Sequence, residues 1–281
     1  MGFVYLFLVI TLLTTQNVVR KAYTTKHNGI YIFNAISAFS AMLVFFITAG
    51  GKLNFRIELL PYSLIFAAFF ATCIVSMLKA IQVGSLTLSS LISSYSLIIP
   101  TLFGLIFLSE TTGKFFYPGI ALLLISLFLV NYEKGEKKIT VKWIIFVTLM
   151  FFSNGLGSTV QKIQQIDFNK QYKSEFMFIV YLIVTLTMLL LALKNERGII
   201  KPCITKASIH PIICGVANGL TNYLVMVLVG LMPTSLVFPL ISAGGLIATA
   251  IISRTVYKER FSKPQLIGII LGTASIVLLN I

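Results

Sequence analysis

Apolar residues dominate this chain in runs of about 20, the length of a helix that crosses the hydrocarbon core of a bilayer. Short polar breaks divide them. Ten such runs are legible, at approximately 2–19, 30–49, 59–80, 84–108, 115–131, 142–162, 175–193, 207–229, 233–253 and 264–281. A lipid-facing run of this length is expected to be helical, because a helix satisfies its backbone N–H and C=O groups within the segment. Ten helices take up about 200 residues and leave only short connectors, so no separate soluble domain is expected. The expected fold is an all-α integral membrane protein with ten transmembrane helices. The first run begins at Gly2 and lacks the basic start and small-residue cleavage site of a signal peptide. It reads as a retained helix.

A self-match refines this picture. Glu110–Asn131 aligns without gaps to Glu259–Asn280, 149 residues later, with identity at eight of 22 positions, including Glu110/Glu259, Lys114/Lys263, Gly119/Gly268 and Ser126/Ser275. Composition alone gives about two or three matches in sequences this apolar. A match at fixed offset means one structural unit used twice. Each copy holds five spans, an odd number, so the copies are expected to be inverted, as in many secondary transporters. The polar stretch NYEKGEKKITVK, Asn131–Lys142, divides them. The expected organisation is a first repeat over 1–131, a linker over 132–141 and a second repeat over 142–281.

Composition agrees. The chain is 57% hydrophobic and only 11% charged, with a mean hydropathy of +0.96, whereas soluble domains carry about 25% charged residues. The net charge of +14 does not require nucleic acid, because the basic residues sit in short connectors and suit topology control. Odd-numbered connectors hold 15 Lys and Arg and even-numbered ones hold 6. That excess places the odd connectors in the cytoplasm and both termini outside. Cys73, Cys203 and Cys214 show neither disulfide nor metal spacing. No metal or other cofactor is expected.

Two further patterns mark close packing and helix breaks. Gly215-x3-Gly219 and Gly268-x3-Gly272 are small-residue motifs that let helices approach in lipid. Gly119 shares the repeat position of Gly268, and all of these glycines are assigned to packing. Pro100 and Pro239 lie inside the fourth and ninth runs, where each removes a backbone hydrogen bond and can kink its helix.

With these residues in view, the chain resembles the EamA-type repeats of the drug/metabolite transporter superfamily. Pro100-x9-Glu110-x8-Gly119 and the ending Tyr257-Lys-Glu-Arg-Phe-x3-Gln265-x2-Gly268-x3-Gly272 carry the resemblance. Asn17-x3-Lys21 in the first span is similar to the family's helix-entry motif. Ser158 stands in place of its Asn in the second copy, before Gln161-Lys162. The resemblance implies a ten-helix, two-repeat carrier of small metabolites, amino acids or drugs in the cell membrane, and an exporter. It names no substrate. Small multidrug-resistance relatives use a carboxylate in their first helix; here that helix offers Thr14, Thr15, Gln16 and Asn17. A cation antiport built on an intramembrane carboxylate is therefore disfavoured.

Polar groups within spans are the candidates for transport, since hydrocarbon penalises a charged one by about 2.5–3.5 kcal/mol on insertion scales. The candidate cavity residues are Gln16, Asn17, Lys79, Ser93, Tyr95, Asn154, Ser158, Gln161, Asn218, Asn222 and Ser242. Asn154, Ser158 and Gln161 recur at helical spacing on one face, and Asn218 and Asn222 do so in the eighth span. Taken singly, each also fits structural glue between helices, at about 0.6 kcal/mol per hydrogen bond. Lys79 either snorkels to the headgroups or answers a carboxylate or phosphate on a substrate. Glu110 and Glu259 sit in turns beside Lys114 and Arg260 and are assigned to capping and turn pairing.

Three classes compete. A secondary transporter working by alternating access, with its substrate near the midplane, fits best. A channel or passive facilitator would need a filter-like segment, and none repeats here. An embedded enzyme needs acid and base in defined roles, and the spans offer two peripheral His and no central acid. No phosphate-binding loop points to ATP. The expected partners are a small-molecule substrate and the lipid bilayer, without nucleic acid. A monomer already holds both repeats, and a homodimer remains open.

Overall fold

A computed structural model describes residues 2–24, 27, 29–83, 89, 92, 93, 95–110, 113–130, 140–206, 208–255 and 262–279. Among them lie eleven helices and no strand: α1 (Gly2–Thr24), α2 (Ile30–Thr48), α3 (Leu59–Val83), α4 (Ile98–Phe107), α5 (Phe116–Val130), α6 (Val141–Asp167), α7 (Lys173–Asn195), α8 (Arg197–Lys206), α9 (Ile209–Leu231), α10 (Thr234–Thr255) and α11 (Lys263–Leu279). Six are long and apolar enough to cross a membrane: α1, α2, α3, α6, α7 and α9. Shorter apolar helices occupy Ile98–Phe107, Phe116–Leu129 and Thr234–Gly245. This is a multi-pass membrane protein. Large apolar side chains stand exposed, such as Phe7 at 69% and Leu190 at 67%, while Gln16, Gln161 and Gln164 are buried. That distribution suits a hydrocarbon solvent.

The chain forms two compact units, Met1–Ala71 with Val160–Gly230 and Thr72–Thr159 with Leu231–Ile281. Each draws on both halves of the sequence.

In the first unit α2 and α7 run antiparallel along their whole length. The Ile30 end of α2 meets Glu196, Phe45 stacks on Tyr181 with ring centres 5.5 Å apart, and the Thr48 hydroxyl lies 2.9 Å from that of Ser174. Glu196 holds one end of this pair. Its carboxylate accepts hydrogen bonds from the backbone N–H groups of Ile30, Tyr31 and Ile32 at 2.8–2.9 Å. These are the orphan donors of a helix start, where a negative charge also meets the positive end of the helix dipole. The Glu196 carbonyl accepts from Ile199 and Ile200 and so begins α8. One residue thereby ends α7, starts α8 and caps α2. Helix α9 packs on α2 through its two glycines. A Cβ at Gly215 would lie 2.2 Å from the Ser37 carbonyl oxygen, and one at Gly219 would lie 3.0 Å from Ala41 Cα.

In the second unit the end of α4 meets the start of α10. Ser109 adopts a left-handed conformation (φ 49°), and the Glu110 N–H reaches back to the Gly104 carbonyl at 3.1 Å. A left-handed residue just past the last turn is a common helix stop, here closed by a bond that spans seven residues. It swings the Glu110 carboxylate onto the first turn of α10, where it accepts from Thr234 N and Ser235 N at 2.9 Å and from the Thr234 hydroxyl at 3.0 Å. Gly104 leaves the room, since a Cβ there would stand 2.3 Å from both Glu110 Oε2 and Thr234 Oγ1. Helix α5 packs along α11, with the Ser126 hydroxyl donating to the Gly268 carbonyl at 2.6 Å. The Gly272 carbonyl accepts from Ser275 at 2.7 Å, and Gly119 is buried in α5. Glu259, Asn131 and Asn280 lie outside the described residues.

Two outcomes follow for stability. Gly215→Ala is expected to cost about 2–3 kcal/mol, because the obstacle is backbone, and Gly219→Ala about 1 kcal/mol; unfolding in detergent measures the order. Glu196→Ala, which strands one buried and two part-buried donors, is expected to cost about 2–3 kcal/mol, with Glu196→Gln recovering part of the loss.

Candidate functional site

Six polar residues of the first unit join into one chain of hydrogen bonds. Gln161 on α6 donates to Asn222 Oδ1 on α9 at 3.2 Å, and Asn222 donates to the Tyr181 hydroxyl on α7 at 2.9 Å. The Tyr181 hydroxyl donates in turn to Asn218 Oδ1. Asn218 donates to Gln16 Oε1 on α1 at 2.9 Å, and Gln16 donates to the Thr221 hydroxyl at 3.0 Å. Four helices meet in this chain, and each link passes its donor in the same direction, an arrangement in which neighbouring bonds polarise and strengthen one another. Asn222 spends its second amide hydrogen on the Asn218 carbonyl at 3.0 Å. Aromatic rings line the Tyr181 end: Phe45 stacks on it, and Phe70 meets it edge-on at 5.7 Å. Each of these links is between uncharged groups, an amide or a hydroxyl on each side. Asn17, next to Gln16, is exposed.

A second polar group lies in the other unit. Asn154 on α6 donates to the Ser96 hydroxyl at 2.6 Å and faces the Ser93 carbonyl at 3.4 Å, while the Ser158 hydroxyl donates to the Asn154 carbonyl at 3.1 Å. Gly155 permits the approach, since a Cβ there would lie 2.7 Å from the Ser96 carbonyl oxygen. The Tyr95 hydroxyl donates to the Leu124 carbonyl at 2.7 Å. Tyr95 and Ser242 line a cavity of about 20 Å³ with Thr101, Leu123 and Pro239. That is room for one water and not for a metabolite. Lys79 is exposed on α3, with its ammonium 5.7 Å from the centre of the Phe146 ring.

Of the residues singled out from sequence, Gln16, Gln161, Asn218 and Asn222 come together in one group and Ser93, Asn154 and Ser158 in the other. The face of α6 that carries Asn154, Ser158 and Gln161 serves both groups. Tyr181 and Thr221 went unnoticed in the sequence. Tyr181 lies in a long apolar run, where a hydroxyl at mid-span was itself the signal. Among the described residues, no cluster of three His, Cys, Asp or Glu forms that could hold a metal.

The EamA-like transporter family matches residues 141–281, half of the chain. The chain belongs to the EamA-like transporter family. Membership makes it a protein of the drug/metabolite transporter type. Among solved structures, 28 chains match. One, titled only "Crystal structure of protein", superimposes with a TM-score of 0.81 over 99% of this chain and 95% of its own, at 10% sequence identity. That likeness concerns the fold alone. No curated protein matches the sequence.

The shared chain of bonds has a measurable signature. A double-mutant cycle between Tyr181→Phe and Asn222→Ala is expected to give a coupling of about 0.6–1.7 kcal/mol in unfolding free energy. Strict additivity would mean that the hydroxyl and the amide act independently.

Proposed function

We propose that this EamA-family protein is a secondary transporter, an exporter that carries a small uncharged or zwitterionic metabolite, amino acid or drug across the cell membrane by alternating access. The observation that carries this reading is the uncharged hydrogen-bonded chain from Gln161 through Asn222, Tyr181 and Asn218 to Gln16, drawn from four helices. Amides and a phenol in a water-poor setting bind a polar solute by exchanging their mutual bonds for bonds to it. They hold no charge that would have to be desolvated for each cycle. The Asn154, Ser93 and Ser158 group offers a second set of neutral donors and acceptors.

The transport scheme rests on ten spans arranged as two inverted repeats over 1–131 and 142–281. Support comes from corresponding helices of the two halves. Helix α2, second in its half, runs antiparallel to α7, second in the other. The end of α4, in the fourth span, meets the start of α10, in the ninth. Antiparallel pairing of equivalent helices is what an inverted repeat requires. The excess of Lys and Arg in the odd connectors supports an orientation with those connectors in the cytoplasm and the termini outside.

Counterflow in proteoliposomes tests the proposal. A thermal-shift screen first supplies a ligand, since bound ligand stabilises the folded state by mass action. The expected result is uptake of labelled solute driven by unlabelled solute inside, reduced at least tenfold in Asn218→Ala. Flux that lacks this trans-stimulation would favour the channel or facilitator reading. Lys79→Ala separates the two roles of that lysine: unchanged KM leaves it a snorkelling, ring-associated cation, and a raised KM makes it a substrate contact.

A further inference from the structure

Helix α8 is too short to cross a bilayer, yet it joins α7 to α9, and both of those helices are long enough to do so. It therefore lies at one membrane surface. Its ten residues, RGIIKPCITK, contain no acid. The inward side is fixed to the protein. Cys203 is buried, with its sulfur 3.1 Å from the Tyr23 hydroxyl, and Gly29 fits against it so closely that a Cβ would stand 2.6 Å from that sulfur. The Tyr23 hydroxyl donates to the Gly29 carbonyl at 2.9 Å. The Glu196 carboxylate, which immediately precedes α8, is 8% exposed and committed to the start of α2. Among the described residues it therefore does not answer the positive charge of the outward side.

That outward side is both basic and apolar. Arg197 and Lys201, four residues apart and hence one above the other, are exposed, and so is Lys194 one turn earlier in the chain. Arg197 spends its Nε–H on the Leu193 carbonyl at 2.7 Å, a bond that does not use its two terminal nitrogens. Ile204 stands beside them at 50% exposure, whereas Ile199, one turn before Cys203, packs with it toward Gly29. An interfacial helix places apolar side chains at the acyl boundary and cations among the phosphates. We infer that α8 is a docking surface for acidic phospholipid headgroups, with Arg197 and Lys201 on the phosphate and Ile204 at the acyl boundary.

The occupant follows from charge and place. The helix is held at headgroup depth by the spans on either side of it, and two exposed cations on a helix that carries no acid of its own attract an anionic headgroup over a zwitterionic one. Each such contact is worth about fivefold in affinity, or about 1 kcal/mol. Lipid binding here also bears on α2, because Glu196 ties the first turn of α8 to the start of that helix.

The test uses the full-length protein in neutral detergent, titrated with short-chain phosphatidylglycerol and followed by its melting temperature. Wild type is expected to be stabilised by phosphatidylglycerol and not by phosphatidylcholine of the same chain length. The apparent affinity is expected to fall about fivefold in Lys201→Gln and further in Arg197→Gln/Lys201→Gln. Lys52→Gln/Lys114→Gln, which removes two exposed cations elsewhere, is expected to bind as wild type does. Equal affinity of Lys201→Gln and wild type overturns the inference. So does equal stabilisation by phosphatidylcholine, or by inorganic phosphate, since a neutral lipid or a soluble anion would then suffice.

Discussion

Hydrocarbon offers no hydrogen bonds, so each polar group within the membrane must be answered by another part of the protein. Most of what distinguishes this structure from a bundle of greasy helices is a response to that constraint. Glu196 answers the first three N–H groups of α2, and Glu110 those at the start of α10. In each case the acid stands beyond the end of one helix and caps the antiparallel helix beside it, so local capping and long-range packing become a single interaction. The close approaches at Gly104 and Gly215 serve the same end, bringing backbones near enough for short polar side chains to reach across.

The same constraint explains the character of the candidate site. Amide and hydroxyl groups buried among apolar helices must bond to one another when no solute is present, and the chain from Gln161 to Thr221 does so. A site built this way is satisfied at rest, and it can be opened at the cost of a few bonds worth about 0.6 kcal/mol each. A buried carboxylate or ammonium would instead impose a penalty of several kcal/mol on every state in which it stood unpaired. Neutral chemistry therefore suits the proposed site, which alternating access would require to be remade in each cycle.

Much of this was legible in the sequence, and the reasons for the rest are physical. Run length gave the helical class, and polar residues at helical spacing pointed to Gln161, Asn218 and Asn222, because position along a helix fixes which side chains share a face. Gly215 and Gly219 were readable as a packing motif, and the structure sets both against α2. Spacing could not say which helices would be neighbours. Thus Asn154 and Gln161, expected together on one face of α6, bond to different partners, Ser96 and Asn222. Glu196 looked like an ordinary connector residue, since nothing local indicates that its carboxylate reaches α2, 164 residues away. Tyr181 was hidden for the opposite reason, as one hydroxyl in a run of apolar neighbours.

The most direct test of the account asks whether the Asn222 position is reachable from both sides of the membrane. In oriented proteoliposomes, with Cys73, Cys203 and Cys214 replaced, Asn222→Cys can be challenged with a membrane-impermeant maleimide applied from one side and then from the other. The account predicts labelling from each side, with protection by a transported solute. Labelling confined to one side, or indifferent to the solute, would contradict it.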